Sequence, residues 1–339
     1  MLHVKKKFMK TTAKTNINFA LVKYWGKRDG ILMLPQNSSL SVTLDDYGST
    51  TTVEFQPDLN KDQLQIDGET YTQGPEYDRV SQHLDIIRGM SGVDQRAKVV
   101  GTNTVLMAAG LASSASGAAA IAAAGSRAAG LDLDDQALSI LARRGSGSAT
   151  RSIHGGFVLW HRGDKEDGSD SYAEQLVDET YWPEFRVIVT IIDTAQKKVK
   201  SRAGMKQTVE TCPLYSGWLN SVEPDIEDIQ QALKDKDFTK LGQVSEYNGL
   251  RLHALMLTTK PTILYWQPTT VAVIHSIQAW REEGLESYMT MDAGPQVKVL
   301  CLEKNVAALT TNLNAMEGVQ DTIVCKIGGG VEYLDRHLF

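Results

Sequence analysis

The chain has 339 residues, of which 42% are hydrophobic and 22% are charged, and this composition is typical of a soluble globular protein with a sizeable core. Its 35 basic and 41 acidic residues give a formal net charge of −6, which argues against broad binding to nucleic acid or to anionic membranes. The length is sufficient for two domains.

The cysteines and the N-terminus indicate a cytoplasmic protein. Cys212, Cys301 and Cys325 are odd in number and far apart, so they predict neither a disulfide framework nor a metal site, and they fit a reducing compartment. The basic N-terminus is followed by "TTAKTNINF" rather than by an apolar run, so no signal peptide is predicted. Either Met1 or Met9 can be the native start.

Hydrophobic patterns in the first half of the chain predict mainly strands. Val80, Leu84 and Ile87 recur at helical spacing before Gly92, which predicts a helix that ends there. An Asp-Gly pair at 67–68 between two short extended runs predicts a hairpin. The predicted elements are strands at 13–22, 31–44 and 50–55, a hairpin at 62–71, a helix at 76–90, a strand at 96–106, a helix at 131–145, and strands at 155–161 and 185–193.

The composition shifts towards helices after about Asp193, which predicts a second domain of different architecture. Helices are predicted at 199–215, 225–235, 237–258 and 269–284, then strands at 287–293 and 296–303, a helix at 305–316 and a strand at 321–329. This order indicates an α+β protein with domains at 1–190 and 191–339. No internal repeat is visible.

The stretch "GLASSASGAAAIAAAG", Gly110–Gly125, follows a predicted strand and runs into an Ala-rich helix. Its serines fall in the first helical turn, where hydroxyls and free N–H groups can bind an anion; a small-residue helix with Ser caps is the alternative. No Walker loop or kinase signature occurs in the chain. Residues 99–126 carry no charge, but most are small or polar, so no membrane span is predicted.

Three further segments place charged residues beside turns. "ALVKYWGKRDG" carries Lys23 and Lys27, which can surround a polyanion or stay solvated. "RRGSGSATRSIHGG" carries Arg151 beyond flexible glycines, where it can clamp a carboxylate or phosphate or lie on the surface; the two arginines that open the segment are expected to cap a helix. "TMDAGPQVKVL" places Asp292 at a strand end, where it is either a turn former or a catalytic carboxylate.

Together these segments resemble those of the mevalonate diphosphate decarboxylases of the GHMP kinase superfamily, bacterial type. The matching words are "NINFALVKYWGKRD", "LPQNSSLSVTLD", "AAGLASSASG", "RRGSGSATRSIHGGF", "SRAGM" and "MDAGPQVKVL", which occur in the family's order. The resemblance implies a GHMP kinase fold, with an N-terminal ribosomal protein S5 domain 2-like domain and a C-terminal ferredoxin-like α/β sandwich. The active site would lie in the cleft between them.

The resemblance implies ATP-dependent decarboxylation of mevalonate 5-diphosphate to isopentenyl diphosphate in the mevalonate pathway of isoprenoid biosynthesis, with Mg²⁺ as the metal. Asp292 would orient or deprotonate the C3 hydroxyl, Lys23 would hold it ionised, and Arg151 would grip the substrate carboxylate. The implied diphosphate-binding residues are Tyr24, Lys27, Ser146, Ser148, Ser201 and Arg202. The implied ATP phosphate loop is Gly110, Leu111, Ala112, Ser113, Ser114, Ala115 and Ser116.

The resemblance leaves alternatives open. A GHMP-type kinase that stops at phosphorylation of the C3 hydroxyl has less need of Arg151, and a decarboxylase of the 5-monophosphate has less need of the diphosphate donors. A non-catalytic relative would show damage to the charged residues, and none is visible. The sequence departs from the family at Thr150, where bacterial members often carry Cys. No protein ligand for the metal is predicted, and a homodimer in the cytoplasm is expected.

Overall fold

Two β-sheets with helices packed against them make up the fold in the computed structural model, which describes residues 9–104, 113–195 and 197–339. The first sheet contains β1 (Thr11–Val22), β4 (Ser39–Gln56), β5 (Gln63–Ile66), β6 (Glu69–Tyr71), β7 (Arg96–Asn103), β8 (Phe157–Trp160), β9 (Ala173–Val177) and β14 (Glu332–Leu334). The second contains β10 (Phe185–Ile191), β11 (Tyr288–Thr290), β12 (Lys298–Leu302) and β13 (Asp321–Cys325). A separate two-stranded ribbon pairs β2 (Lys27–Asp29) with β3 (Leu34–Pro35).

The helices divide between the two sheets. The first half of the chain contributes α1 (Pro75–Ser91), α2 (Ser113–Ala128), α3 (Asp135–Gly145) and a 3₁₀ helix (Gly147–Ile153). The second half contributes α4 (Ser201–Thr211), α5 (Tyr215–Asp235), α6 (Phe238–Thr258), α7 (Pro268–Glu282) and α8 (Glu303–Asn314). Among the helices that the structure describes, none is both long enough and apolar enough to cross a membrane.

The long strand β4 organises the first sheet, whose order is β14-β1-β4-β7-β5-β6, with β8 pairing the start of β4 and β9 pairing β8. The sequence predicted two strands at 31–44 and 50–55; the structure instead has one strand from Ser39 to Gln56. Its irregular centre explains the error, because Asp46 adopts a φ of 61° and Gly48 packs on the backbone of β1. A Cβ at Gly48 would lie 2.1 Å from the Thr15 carbonyl oxygen.

The second sheet has the order β11-β12-β10-β13 with all neighbours antiparallel. The predicted domain boundary at 190 falls inside β10, whose pairing with β12 and β13 assigns 185–191 to the second sheet. We therefore propose that the change of sheet lies between β9 and β10, at 178–184. The C-terminal segment then returns to the first sheet, where β14 pairs with β1.

One hydrophobic core connects the two sheets. It includes Leu21 and Leu40 from the first sheet and Val187 and Leu300 from the second, together with apolar residues of α5 and α6. Burial of this apolar surface favours a fixed arrangement of the sheets, since separating them would expose it to water. The shared core therefore fixes the positions of residues on one sheet relative to those on the other where the two sheets meet.

The predicted ends of α1 and α3 agree with the structure, but the helix predicted at 131–145 begins later, at Asp135. Gly92 ends α1 in the left-handed conformation and the Asp134 side chain caps α3 by accepting from Ala137 N–H, as these residue types favour. The predicted helix at 225–235 begins at Tyr215 instead, because Pro224 is accommodated inside α5. The 3₁₀ helix, β9 and β14 were not predicted, since short elements carry little periodicity.

A buried ion pair stabilises the edge of the first sheet and generates a stability prediction. Asp62 accepts two hydrogen bonds of 3.0 Å from the Arg88 guanidinium and one of 2.8 Å from Ala97 N–H. Asp62→Ala removes the buried carboxylate partner of Arg88 and leaves the arginine only the exposed Asp85, so we expect the free energy of unfolding to fall by about 3–5 kcal/mol. Urea unfolding followed by circular dichroism measures this.

The matched control is Asp58→Ala in the exposed loop that follows β4. It should change the free energy of unfolding by less than about 0.5 kcal/mol. Equal effects of the two substitutions would contradict a structural role for the Asp62–Arg88 pair.

Candidate active site

A cavity of about 500 Å³ lies at the junction of the two sheets. Its walls come from the end of β1, the start of α2, the 3₁₀ helix, the start of α4 and the segment after β11. Every residue predicted for catalysis or substrate binding lines it, namely Lys23, Tyr24, Lys27, Ser146, Ser148, Arg151, Ser201, Arg202 and Asp292. The fold therefore brings together side chains from both halves of the chain.

The predicted phosphate loop is described only from its second half. Ser114 and Ala115, in the first turn of α2, line the cavity. Ser116 does not, because its hydroxyl lies 2.9 Å from that of Ser49 on β4 and the residue is buried against the sheet. Its membership of the ATP phosphate loop stays a prediction. Ser113 begins α2, and the predicted residues Gly110, Leu111 and Ala112 lie outside the described part of the chain.

Asp292 lies two residues after β11 and contacts lysines through both carboxylate oxygens. Lys23 Nζ is 3.1 Å from Oδ1, and Lys298 Nζ is 3.9 Å from Oδ2. Burial by itself raises the pKa of Asp292, but Lys23, Lys298 and Lys197 outweigh it and hold that pKa below its usual value. Asp292 is therefore ionised at neutral pH, with 38% of its side-chain surface accessible from the cavity.

Helix α6 supports both members of the Lys23–Asp292 pair. The Asn248 side chain accepts a hydrogen bond of 2.8 Å from Lys23 N–H, and Asn37 donates one of 2.8 Å to the Lys23 carbonyl. His253 Nε2 lies 3.1 Å from the Asp292 carbonyl oxygen, to which it donates. Burial lowers the pKa of His253 to about 3, so the ring is neutral. Sequence analysis missed all three positioning residues.

Arg151 projects from the 3₁₀ helix and is held by two side chains. Its Nε donates to the Asn18 side chain at 3.1 Å and its Nη1 to Ser39 Oγ at 2.6 Å. Burial lowers the pKa of Arg151 to about 10, which leaves the guanidinium charged at neutral pH. Tyr24 packs on Trp160 with ring centroids 4.7 Å apart, and its buried hydroxyl has no hydrogen-bond partner among the described residues.

The cavity lining carries more positive than negative charge. Besides the predicted cations it includes Arg79, Lys197 and Lys200, none of which sequence analysis identified as part of the site. The basic run "KKVKSR" before α4 was a usable signal for Lys197 and Lys200. Burial lowers the pKa of Lys27 to about 8, and nearby Arg202 adds to this effect. Such a lining suits a ligand with several negative charges.

A second cavity of about 500 Å³ adjoins the first and shares Glu76, Arg79, Ser114 and Lys200 with it. Most of its further lining is apolar or neutral. These residues include Leu64, Ile66, Val80, Val99 and Ile121, together with Ser49, Thr51 and Asn103. A ligand with a charged end and a flat, weakly polar end could therefore span both cavities.

No group of three or more His, Cys, Asp or Glu side chains suited to a metal ion occurs within residues 9–104, 113–195 and 197–339.

Of the two arginines predicted to cap α3, Arg143 has a different role. Arg143 is buried and donates to the backbone carbonyls of Leu32, Gly168 and Ser171, which fixes loops rather than the helix end.

Comparison with protein families assigns both halves of the chain. Residues 13–173 match the model of the diphosphomevalonate decarboxylase-like N-terminal domain. Residues 187–331 match the model of the mevalonate 5-diphosphate decarboxylase C-terminal domain.

Curated relatives and solved structures agree. Diphosphomevalonate decarboxylases of Eremothecium gossypii and Homo sapiens are each 36% identical, over 92% and 87% of this chain and 82% and 78% of theirs. The crystal structure of mevalonate diphosphate decarboxylase from Staphylococcus aureus has a TM-score of 0.92 and 39% identity, and covers 98% of this chain and 100% of that one.

A structure of MDDEF in complex with MVAPP, AMPPCP and magnesium has a TM-score of 0.90 and 41% identity, covering 97% of this chain and 99% of that one. These likenesses extend over both sheets and over the cavity between them. The α+β fold is thus the two-domain GHMP kinase type that the motifs indicated. The chain belongs to the mevalonate diphosphate decarboxylase family.

Proposed function

We propose that this chain catalyses the ATP-dependent decarboxylation of mevalonate 5-diphosphate, releasing isopentenyl diphosphate, ADP, phosphate and CO₂. One observation carries the proposal. An ionised carboxylate, Asp292, is flanked by lysines in the same cationic cavity that contains the buried guanidinium of Arg151. This arrangement supports adjacent positions for the hydroxyl that is phosphorylated and for the carboxylate that is lost, as this reaction requires.

The 5-diphosphate binds among the cationic and hydroxyl donors of the cavity. The Tyr24 hydroxyl is buried and unpartnered among the described residues, so a ligand oxygen would satisfy it. The other proposed donors come from three separate elements: Lys27, Ser146, Ser148, Ser201 and Arg202. Charge-assisted hydrogen bonds from several directions fix both the position and the orientation of a diphosphate.

Asp292 orients the C3 hydroxyl for attack on the γ-phosphorus of ATP. Because the lysines keep the pKa of Asp292 low, it is too weak a base to deprotonate a tertiary alcohol in advance. It accepts the hydroxyl hydrogen bond and takes the proton as the O–P bond forms, which suits a loose transition state. Lys23 stabilises the negative charge of the transferring phosphoryl group.

Arg151 aligns the substrate carboxylate for the second step. Nε and Nη1 are occupied by Asn18 and Ser39, and Nη2 has no partner among the described residues, so this edge is available to the carboxylate. When the C3–O bond to phosphate breaks, the C1–C2 bonding electrons form the C2–C3 double bond and C1 leaves as CO₂. Arg151 holds the C1–C2 bond in line with the departing phosphate.

ATP binds across both cavities, with its phosphates at the start of α2 and its nucleoside in the second cavity. Ser114, Arg79 and Lys200 line both cavities and would contact the phosphates. Magnesium would be carried by the phosphates, with the Ser114 hydroxyl and the Glu76 carboxylate, which pairs with Arg79 in the ligand-free protein, as protein oxygen donors. When bound, the magnesium ion shares the negative charge of the phosphates.

Assembly as a homodimer and a cytoplasmic location stay predictions.

The proposed function predicts that ADP and CO₂ appear in equal amounts when the protein is supplied with ATP, Mg²⁺ and mevalonate 5-diphosphate. A coupled assay for ADP and release of labelled CO₂ measure both products in one reaction. ADP without CO₂ would identify a kinase instead. Neither product would contradict the proposal, and mevalonate 5-phosphate would then be the next substrate to test.

Replacement of Asp292 tests its role in chemistry. Asp292→Asn removes the proton acceptor, so we expect kcat to fall by at least about 100-fold. Binding of mevalonate 5-diphosphate, measured by calorimetry, should survive because no donor to the substrate is lost. Asp58→Asn, in an exposed loop, is the control and should leave kcat unchanged. Turnover near that of the wild type would exclude Asp292 from the mechanism.

The low pKa of Lys27 predicts a pH dependence of substrate capture. Lys27 is protonated below pH 8 and loses its charge as the pH rises through about 8, so attraction to the diphosphate is lost on the alkaline side. We expect kcat/KM to fall by about 10-fold above pH 8, as for loss of one charge-assisted hydrogen bond.

Lys27→Arg should move this decline to higher pH, because a guanidinium stays protonated. Lys326→Arg, on an exposed residue after β13, is the matched control and should keep the wild-type profile. If kcat/KM of Lys27→Arg fell at the same pH as that of the wild type, the group that titrates would be a residue other than Lys27.

A further inference from the structure

We propose that Lys298 is a positioning residue of the active site, which together with Lys23 keeps the Asp292 carboxylate ionised and fixed in orientation. Each carboxylate oxygen contacts a different ammonium group, Oδ1 with Lys23 at 3.1 Å and Oδ2 with Lys298 at 3.9 Å. Two contacts on opposite oxygens restrict rotation of the carboxylate, which one contact would not. The inference rests on the proposed function, in which Asp292 faces the reacting hydroxyl.

The position of Lys298 on β12 explains why its side chain reaches Asp292. It pairs directly with Thr290 of β11, two residues before Asp292. The whole residue is only 3% exposed and does not line the cavity, so it does not contact the substrate. Its Nζ is 3.5 Å from the Gln296 carbonyl oxygen, a long hydrogen bond. A buried ammonium needs a counter-charge, and Asp292 supplies it.

Phe19 of β1 connects the two lysines. Lys23 Nζ lies 4.3 Å and Lys298 Nζ 5.1 Å from the centroid of the Phe19 ring. Cation–π attraction at these distances favours both ammonium groups where they lie and helps to offset the cost of burying them. The ring therefore fixes the separation of the two cations that contact Asp292.

The other groups that face Asp292 do not replace Lys298. Lys197, in the segment after β10, and Arg151, on the 3₁₀ helix, are further cations that line the cavity and are available to ligands. His253 of α6 is neutral because burial lowers its pKa to about 3. Lys298 is thus the buried cation of this cluster that acts on Asp292 from behind the cavity wall.

The chemical consequence concerns the proton that Asp292 receives. Burial lowers the pKa of Lys298 to about 8, so it carries its charge at neutral pH. This positive charge beside Oδ2 disfavours the protonated carboxyl at neutral pH, so Asp292 accepts the hydroxyl hydrogen bond without retaining a proton beforehand. The same charge adds to the attraction that the site exerts on the transferring phosphoryl group.

Removal of the charge tests the inference. Lys298→Met keeps the length of the side chain and removes the ammonium, Lys298→Arg keeps the charge, and Lys298→Gln is a second neutral variant in case the first does not fold. Lys304→Met, on the exposed start of α8, is the matched control. Carbon-13 NMR of labelled aspartate, assigned with Asp292→Asn, reports the pKa of Asp292 in the ligand-free protein. The pH profile of kcat is measured beside it.

We expect both neutral variants to raise the pKa of Asp292 by about 1, as for loss of one adjacent opposite charge. The acidic limb of the kcat profile should move to higher pH by the same amount, with KM changed less than about threefold because Lys298 does not contact substrate. Lys298→Arg should restore the wild-type limb, and Lys304→Met should not move it.

An unchanged Asp292 pKa and an unmoved acidic limb in a folded neutral variant would overturn the proposal. So would a shift that Lys304→Met reproduces, since it would then reflect overall charge. Failure of the proposed function is a separate result, because it would appear as a wild-type protein that releases no CO₂. In that case the NMR titration still decides whether Lys298 acts on Asp292.

Discussion

The ion pair between Lys23 and Asp292 is the contact on which the site depends. The two residues are 269 positions apart and follow strands of different sheets, so their separation of 3.1 Å requires a fixed packing of one sheet on the other. The shared hydrophobic core supplies that packing, and α6 adds hydrogen bonds to the backbone of both residues through Asn248 and His253. A small rearrangement of the sheets would separate the pair and leave the Lys23 charge without its carboxylate partner.

Local charge and overall charge have opposite signs in this protein. The chain as a whole carries −6, yet the cavity lining has an excess of lysine and arginine. Burial lowers the pKa of Lys27, of Lys197 and of Lys298, because removal from bulk water disfavours the charged form of each ammonium group. A polyanionic substrate stabilises these buried cations when it binds, and this stabilisation contributes to the binding free energy.

Much of the fold and of the candidate site could be predicted from sequence, because the relevant signals are local. The hairpin turn at 67–68, the left-handed Gly92 after α1 and the Asp134 cap of α3 depend on residues within one turn of each other. The site motifs are short for the same reason. Lys23 directly follows β1 and Asp292 lies two residues after β11, each within a contiguous motif from which a family resemblance can be recognised.

The amino-acid sequence by itself determined the family, the class of chemistry and part of the cavity lining, since these are encoded in contiguous motifs. Only the tertiary structure decided which further side chains support them. Lys298, Asn248 and His253 lie in regular elements with no motif of their own, and the orientation of Ser116 depends on contact with β4. Periodicity reports which face of an element is buried, but it cannot report which buried charge meets which, because that depends on how distant elements pack.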